Sequence, residues 1–212
     1  MRDRKVQHLE ARIEAAYQKT ENRLGWRFLY SPACVLSGAK VAFVGLNPGG
    51  SEAPDDHAEF AMANGSAYRG ESWTNQPEGR SRLQLQVLRL FEQLRVQPED
   101  VLAGNLVPFR SPTWSELRDK RFSMQFGREL WSDVLERTSP SLIVCMGRQA
   151  TTELSGVVRA ENEVSMPVGW GNVKASRADY PSGTIVGLPH LSRFSIFGRR
   201  ESESAIKALF DL

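Results

Sequence analysis

The sequence predicts an α/β fold of three layers, with helices on both sides of a central, mainly parallel four-stranded sheet. Two observations carry that prediction. Short apolar runs of β type alternate with stretches of helical periodicity along the 212 residues, the pattern of repeated strand–helix units. The runs are also apolar without alternation, as strands covered by helices on both faces must be.

The elements follow in order. Residues 3–22 read as an amphipathic helix, with Val6, Leu9, Ile13 and Tyr17 at helical spacing, so 1–25 is assigned to an N-terminal helix. Lys40 to Leu46 is a first strand, stopped by the turn-forming Asn47-Pro48-Gly49-Gly50. Residues 49–80 are polar and form a long loop, of the kind that is usually functional or mobile inside a compact domain. Ser81 to Leu94 is a helix with Leu83, Val87, Leu90, Phe91 and Leu94 on one face. Residues 101–107 form a second strand, closed by Pro108, and 127–137 a helix. Leu142 to Met146 is a third strand, and Gly147 opens a helix running to Leu154. Thr184 to Leu188 is a fourth strand, leading into Pro189-His190, and Ser202 to Leu212 is a closing helix. No repeat, low-complexity tract or linker divides the chain. Residues 1–212 therefore read as a single domain, long enough to bury a core without disulfides or metal.

Composition narrows the classes. There are 27 basic and 25 acidic residues, a net charge of +2. That excludes a purely electrostatic DNA binder, and any nucleic-acid contact must gather basic groups locally. No apolar run approaches the roughly 18 residues of a membrane span. The charged start lacks the apolar core of a signal peptide. No membrane partner is expected, and the location expected is the cytoplasm, at the nucleoid in a bacterium. Two cysteines, Cys34 and Cys145, are too few for a disulfide framework or a four-cysteine cluster. Both lie in apolar or strand-like surroundings and are expected to be buried thiols. No HExxH, Walker A, paired CxxC or G-x-S-x-G is present, which argues against metalloprotease, NTPase and serine-hydrolase chemistry. No cofactor and no metal are expected, and a monomer is.

In an open α/β sheet, ligands bind beyond the carboxyl ends of the strands. Here those ends are Asn47, Asn105, Gly147 and His190. Asn47 either caps a turn or presents a carboxamide that orients a water or a substrate group. Asn105 sits in an apolar strand, where a polar group is costly unless paired. It ties down a neighbouring loop or reads the amide edge of a ligand. His190 is a structural histidine or part of a site. After it, Ser192 and Ser195 are suited to phosphate oxygens, and Arg193, Arg199 and Arg200 supply local charge. Phe194 is a candidate wedge into a base stack. On the other reading, Phe194 and Phe197 simply pack on the core. In the long loop, Phe60, Tyr68, Trp73 and His57 are base stackers or packing, and Asp55, Asp56 and Glu59 a solvated acidic face.

Four motifs stand in order across most of residues 40–200: GLNPG after the first strand, NLVPF in the second, LIVCMG in the third and PHLSRFS after the fourth. Together they resemble the uracil-DNA glycosylase superfamily. The resemblance implies that Asn47 handles the attacking water, that Asn105 reads the base and that His190 stabilises the departing base. It places Leu46 at the base with Phe60, thirteen residues after Asn47. It places Pro48, Gly49, Ser192, Arg193, Phe194, Ser195 and Arg199 on the DNA. Leu191 departs from the usual proline of the last motif, and the branches with four cluster-binding cysteines are excluded. Asn in the first motif with His in the last is most like the single-strand-selective branch. The activity implied is a monofunctional glycosylase. It would flip uracil or a related damaged base out of single- or double-stranded DNA, with no lysine placed for a Schiff base. Three alternatives stay open: a glycosylase for a bulky modified base in defence against foreign DNA, a catalytically inactive DNA- or RNA-binding module, and a small-molecule enzyme using GLNPGG as an anion loop.

Overall fold

The computed structural model of the chain describes residues 4–50 and 59–212. Its elements are α1 (Arg4–Tyr17), β1 (Val41–Gly45), α2 (Ala67–Gly70), α3 (Arg82–Gln93), β2 (Leu102–Asn105), α4 (Lys120–Thr138), β3 (Leu142–Met146), α5 (Arg148–Val158), β4 (Glu161–Trp170), β5 (Val173–Tyr180), β6 (Gly183–Leu188) and α6 (Glu203–Phe210). They build a mixed α/β fold with helices on both sides of one sheet, in the order β2-β1-β3-β6-β5-β4. The four expected strands β1, β2, β3 and β6 run parallel to one another.

The sheet has six strands rather than four, because an antiparallel hairpin, β4–β5, extends it beyond β6. The hairpin was invisible in the apolar pattern for a physical reason. Strand β4 is an edge strand whose first five residues are exposed, and it carries Glu161 and Glu163 (an edge kept polar discourages pairing with another chain). With one long edge in water it needs no apolar run.

Side chains alternate across each buried strand. Ala42, Val44, Ile143 and Cys145 join one core with Leu9 and Ile13 of α1, Leu130, Trp131 and Val134 of α4, and Leu154 of α5. Phe43, Ala103, Val144, Met146, Val186 and Leu188 join the other with Val87, Leu90 and Phe91 of α3 and Ile206 and Leu209 of α6. This is period-two alternation between two apolar faces. Helix α3 begins at a full capping box: Ser81 accepts from the Gln84 backbone, and the Gln84 side chain accepts from the Ser81 backbone.

Three further expectations need correction. Helix α4 starts at Lys120, earlier than expected: Lys120, Arg121 and Phe122 are exposed, but Ser123, Met124 and Phe126 are already buried. The long loop is not featureless: Ser66 caps the short α2, and Tyr68 is buried. His57, Asp55 and Asp56 lie outside the described residues. Cys34 is exposed, at the start of a 3-10 turn, and only Cys145 is buried. Among the described residues no helix is long and apolar enough to cross a membrane.

Burial pushes the Cys145 thiol far above its ordinary range, and thiolate is the reactive form. In the native protein, maleimide should therefore label one thiol per chain, at Cys34. Cys145 should react only after denaturation, and a count of two labels under native conditions would contradict the packing of β3.

Candidate active site

Pairing register decides what meets at the sheet edge. Gly45 stands opposite Asn105 and Met146 opposite Leu188, so the parallel strands finish level. Asn105 is the last residue of β2, and Asn47, Gly147 and His190 follow directly on β1, β3 and β6. The expected convergence of these residues on one edge is therefore what the register produces.

Asn47 is half-buried, and its Nδ2 donates to Ser111 Oγ at 2.9 Å and to the Pro48 carbonyl at 3.2 Å. Ser111 Oγ gives its single proton to the Thr113 carbonyl at 2.8 Å, so it must accept from Asn47. That chain orients the carboxamide and leaves Oδ1 as an acceptor for another partner. Ser111 is only 3% exposed, and its own N–H donates to the Pro48 carbonyl. Sequence reading missed Ser111, since a serine two residues after Pro-Phe carries no distinguishing pattern. Pro48 is buried and Gly49 exposed within the same turn.

Asn105 is buried, and its Nδ2 donates to the Tyr30 hydroxyl at 2.9 Å. Its Oδ1 lies against Gly45, where a Cβ would come within 2.3 Å. Only glycine leaves the amide this room. Its backbone carbonyl accepts from Trp131 Nε1 at 2.8 Å. Of the two readings of this residue, the tie to a neighbouring segment is present. Tyr30 stacks on Tyr68 at 5.4 Å, and the Arg27 guanidinium lies 4.3 Å over its ring. Arg27 is in turn held by two hydrogen bonds to Glu71, at 2.6 and 2.8 Å, and Trp73 Nε1 donates to the same carboxylate. Burial pushes the Tyr30 hydroxyl above the ordinary tyrosine range, while Arg27 and Asn105 pull the other way. It stays protonated and, having accepted from Asn105, keeps a proton to donate. The cluster was unreadable in advance because a tyrosine in WRFLYSP looks like any core aromatic.

Phe60 is part of the first core, 5.7 Å from Phe28, and is also among the residues that line a cavity of about 1260 Å³. Leu46 is half-buried against the same core. Tyr68 and Trp73 of the loop pack on Tyr30.

His190 is exposed, with Nδ1 2.8 Å from Ser192 Oγ. Partial desolvation first, and then the charge of Arg193, hold its pKa below the usual histidine range. The ring and Ser192 Oγ share this hydrogen bond, and with Ser192 as its donor the ring carries its proton at Nε2. The loop beyond it is clamped by one face of α3. Arg82 donates to Ser195 Oγ at 2.9 Å and to the Arg193 carbonyl at 2.8 Å. Gln86 meets both backbone groups of Phe197, at 3.0 and 2.9 Å, and Arg89 donates to the same carbonyl. Positions 82, 86 and 89 are spaced to share a helix face.

Two expectations about this loop are corrected. Phe194 is half-buried, edge-on to Trp170 at 5.9 Å, so it is not a free tip, and Phe197 is in the core. Arg199 lies 4.5 Å over the Trp170 ring with Glu201 3.3 Å away, so its charge is already engaged. Ser195 is likewise engaged by Arg82, whereas Arg193 points its charge into solvent.

The profile of a family described as the Uracil DNA glycosylase superfamily matches residues 33–212. None of the curated proteins matches the chain.

Two outcomes are expected from the clamp and the histidine. Gln86→Leu strands the buried Phe197 N–H, at a cost of about 1–3 kcal/mol, while the Phe197 carbonyl keeps Arg89 as its donor. The thermal midpoint should fall, and amide exchange at 193–198 should rise. By NMR, the His190 ring should titrate below a model histidine, and Arg193→Ala should move its midpoint upward. An unmoved midpoint would discharge Arg193 as a cause.

Proposed function

The chain belongs to the uracil DNA glycosylase superfamily, and from that membership we propose that it hydrolyses the N-glycosidic bond of a base extruded from DNA. Membership supports a DNA glycosylase type of activity, with DNA as the substrate. The finer reading, a monofunctional enzyme acting on uracil or a related damaged base in the cytoplasm, is ours. One observation carries it: the level ends of β1 and β6 bring an oriented amide acceptor, Asn47, to the same sheet edge as a neutral imidazole donor, His190.

A base stacked in a duplex is out of reach, so it must be turned out of the helix at a cost of a few kcal/mol. The glycosidic bond then breaks toward an oxocarbenium-like sugar, and the bonding pair leaves with the base. His190 Nε2–H meets the oxygen on which that negative charge collects. A donor fixed in advance, in a site that excludes water, is worth most at that moment. Asn47 Oδ1 accepts from one hydrogen of the water that attacks the sugar carbon, and holds its lone pair toward that carbon. A carboxamide does not take up the proton, so the water's proton passes to the base anion or to solvent. Such a site suits a cation that forms before the water adds. Partial desolvation and then the Arg193 charge favour the neutral ring of His190, and Arg193 sits where a phosphate would approach.

A second reading keeps the reaction and changes the base, and one observation favours it. The amide that would grip uracil is already held by Tyr30, and Phe60 is in the core. A base recognised by the Tyr30 O–H as well as by Asn105 would differ from uracil in its acceptors.

The test is base release from end-labelled oligonucleotides, single-stranded and duplex, each carrying one uracil and read as alkali-dependent cleavage. Wild type should release the base without cutting the strand. His190→Ala should lose about 10²–10³-fold, near 3 kcal/mol of barrier, the size of one lost oxyanion donor. Asn47→Ala should lower turnover and leave DNA binding unchanged. A fully active His190→Ala variant would remove that residue from the chemistry. Binding without release of uracil would move the assignment to the second reading, for which a panel of modified bases is the assay.

A further inference from the structure

A cavity of about 490 Å³ lies behind the Asn47 turn. Its walls come from two stretches far apart in sequence, 21–24 and 110–120. It touches the turn in two ways. Ser111, in its lining, is the partner of Asn47 Nδ2. Arg110, also in its lining, donates to the Gly49 carbonyl and lies against Gly50.

Positive charge predominates around this cavity, with four cations against two carboxylates in the lining and Asp119 beside them, accepting from the Glu21 N–H. Arg23, Arg110, Arg118 and Lys120 face Glu21 and Glu116, and among the described residues none of the four cations forms an ion pair. The chain as a whole is nearly balanced, at +2, so this excess is local. A second cavity among the described residues, about 1260 Å³, has the opposite character. It lines Glu10, Glu59, Glu99, Asp100 and Asp133 against Arg137, a setting that repels a polyanion. A strand of phosphates is therefore attracted to the smaller cavity and turned away from the larger. The smaller volume is also within the range of ligand-binding clefts.

We propose that this cavity seats the sugar–phosphate backbone of the DNA strand on one side of the extruded nucleotide. This extends the glycosylase reading above and rests on it for the identity of the polymer. Arg23, Arg118 and Lys120, all exposed, make the phosphate contacts. Arg110 is a positioning residue: it joins the bound backbone to the turn that holds Asn47. In the sheet order the cavity lies on the β2–β1 side and Arg193 on the β6 side. The strand thus crosses the edge with a cation group at each end, and the reacting sugar is held between them.

The test uses a fluorescent single-stranded oligonucleotide of ordinary bases, so that no excision is needed, and reads binding by anisotropy across a salt series. Each phosphate contact on a single strand contributes about 0.7 to the slope of log affinity against log salt. Arg118→Gln with Lys120→Gln should weaken binding and reduce that slope by about 1.4. Glu21→Lys, which adds charge to the same wall, should tighten binding. Arg69→Gln, an exposed cation paired with Glu99 beside the acidic cavity, should change neither quantity. An unchanged slope in the double variant overturns the proposal, as does an equal change in Arg69→Gln. Thermal midpoints equal to wild type show that the loss is not one of folding, and Glu21→Lys decides the matter if the double variant is destabilised. Because the probe carries no excisable base, the result stands whether or not wild type releases uracil. Release without a slope change removes the cavity alone.

Discussion

A parallel strand covered by helices on both faces has no place for a polar side chain until it ends. In this protein that constraint governs the site. Strands β1, β2, β3 and β6 are packed between two apolar layers and stop in register. The polar residues that close them, Asn47, Asn105 and His190, are thereby gathered at one edge. Neither Asn47 nor His190 is held by its own strand's hydrogen bonding. The fold brings them together, and their neighbours orient them.

The orienting contacts are of two kinds. Asn47 and Asn105 are fixed by buried hydroxyls, Ser111 Oγ and Tyr30 Oη. Each hydroxyl either has a third partner or retains a proton, so the direction of every hydrogen bond is determined. His190 is held indirectly. Its loop is fastened to α3 by Arg82, Gln86 and Arg89, which leaves the ring itself at the surface with Ser192 and the Arg193 charge beside it. A rigid mount with an exposed tip suits a group that must meet a large substrate. The same logic explains why Ser195 and Arg199, which look available in the sequence, are partnered within the protein: they belong to the mount.

All four motifs behind the family resemblance coincide with strand ends, and there the sequence is informative because burial forbids the alternatives. An Asn after LIVCM-type or VAFVG-type residues is conspicuous. The long loop behaves differently. Phe60, Tyr68 and Trp73 are all aromatic residues in a polar stretch, and nothing in their spacing tells which one faces inward. Phe60 joins the first core, while Tyr68 stacks on Tyr30 in the second. Counting residues from Asn47 selects Phe60, which packing places in the first core at the wall of the 1260 Å³ cavity.

Fold class, the four parallel strands and the edge at which they end could be read from the chain alone, since apolar runs, period and turn residues are local properties with a direct burial consequence. The β4–β5 hairpin, the Glu71–Arg27–Tyr30–Asn105 chain, the Ser111 contact and the clamp from α3 could not. An exposed edge strand leaves no apolar signature, and a hydrogen bond between residues 75 or 111 positions apart leaves none in either neighbourhood. Such contacts exist only once the sheet has set the distance between them.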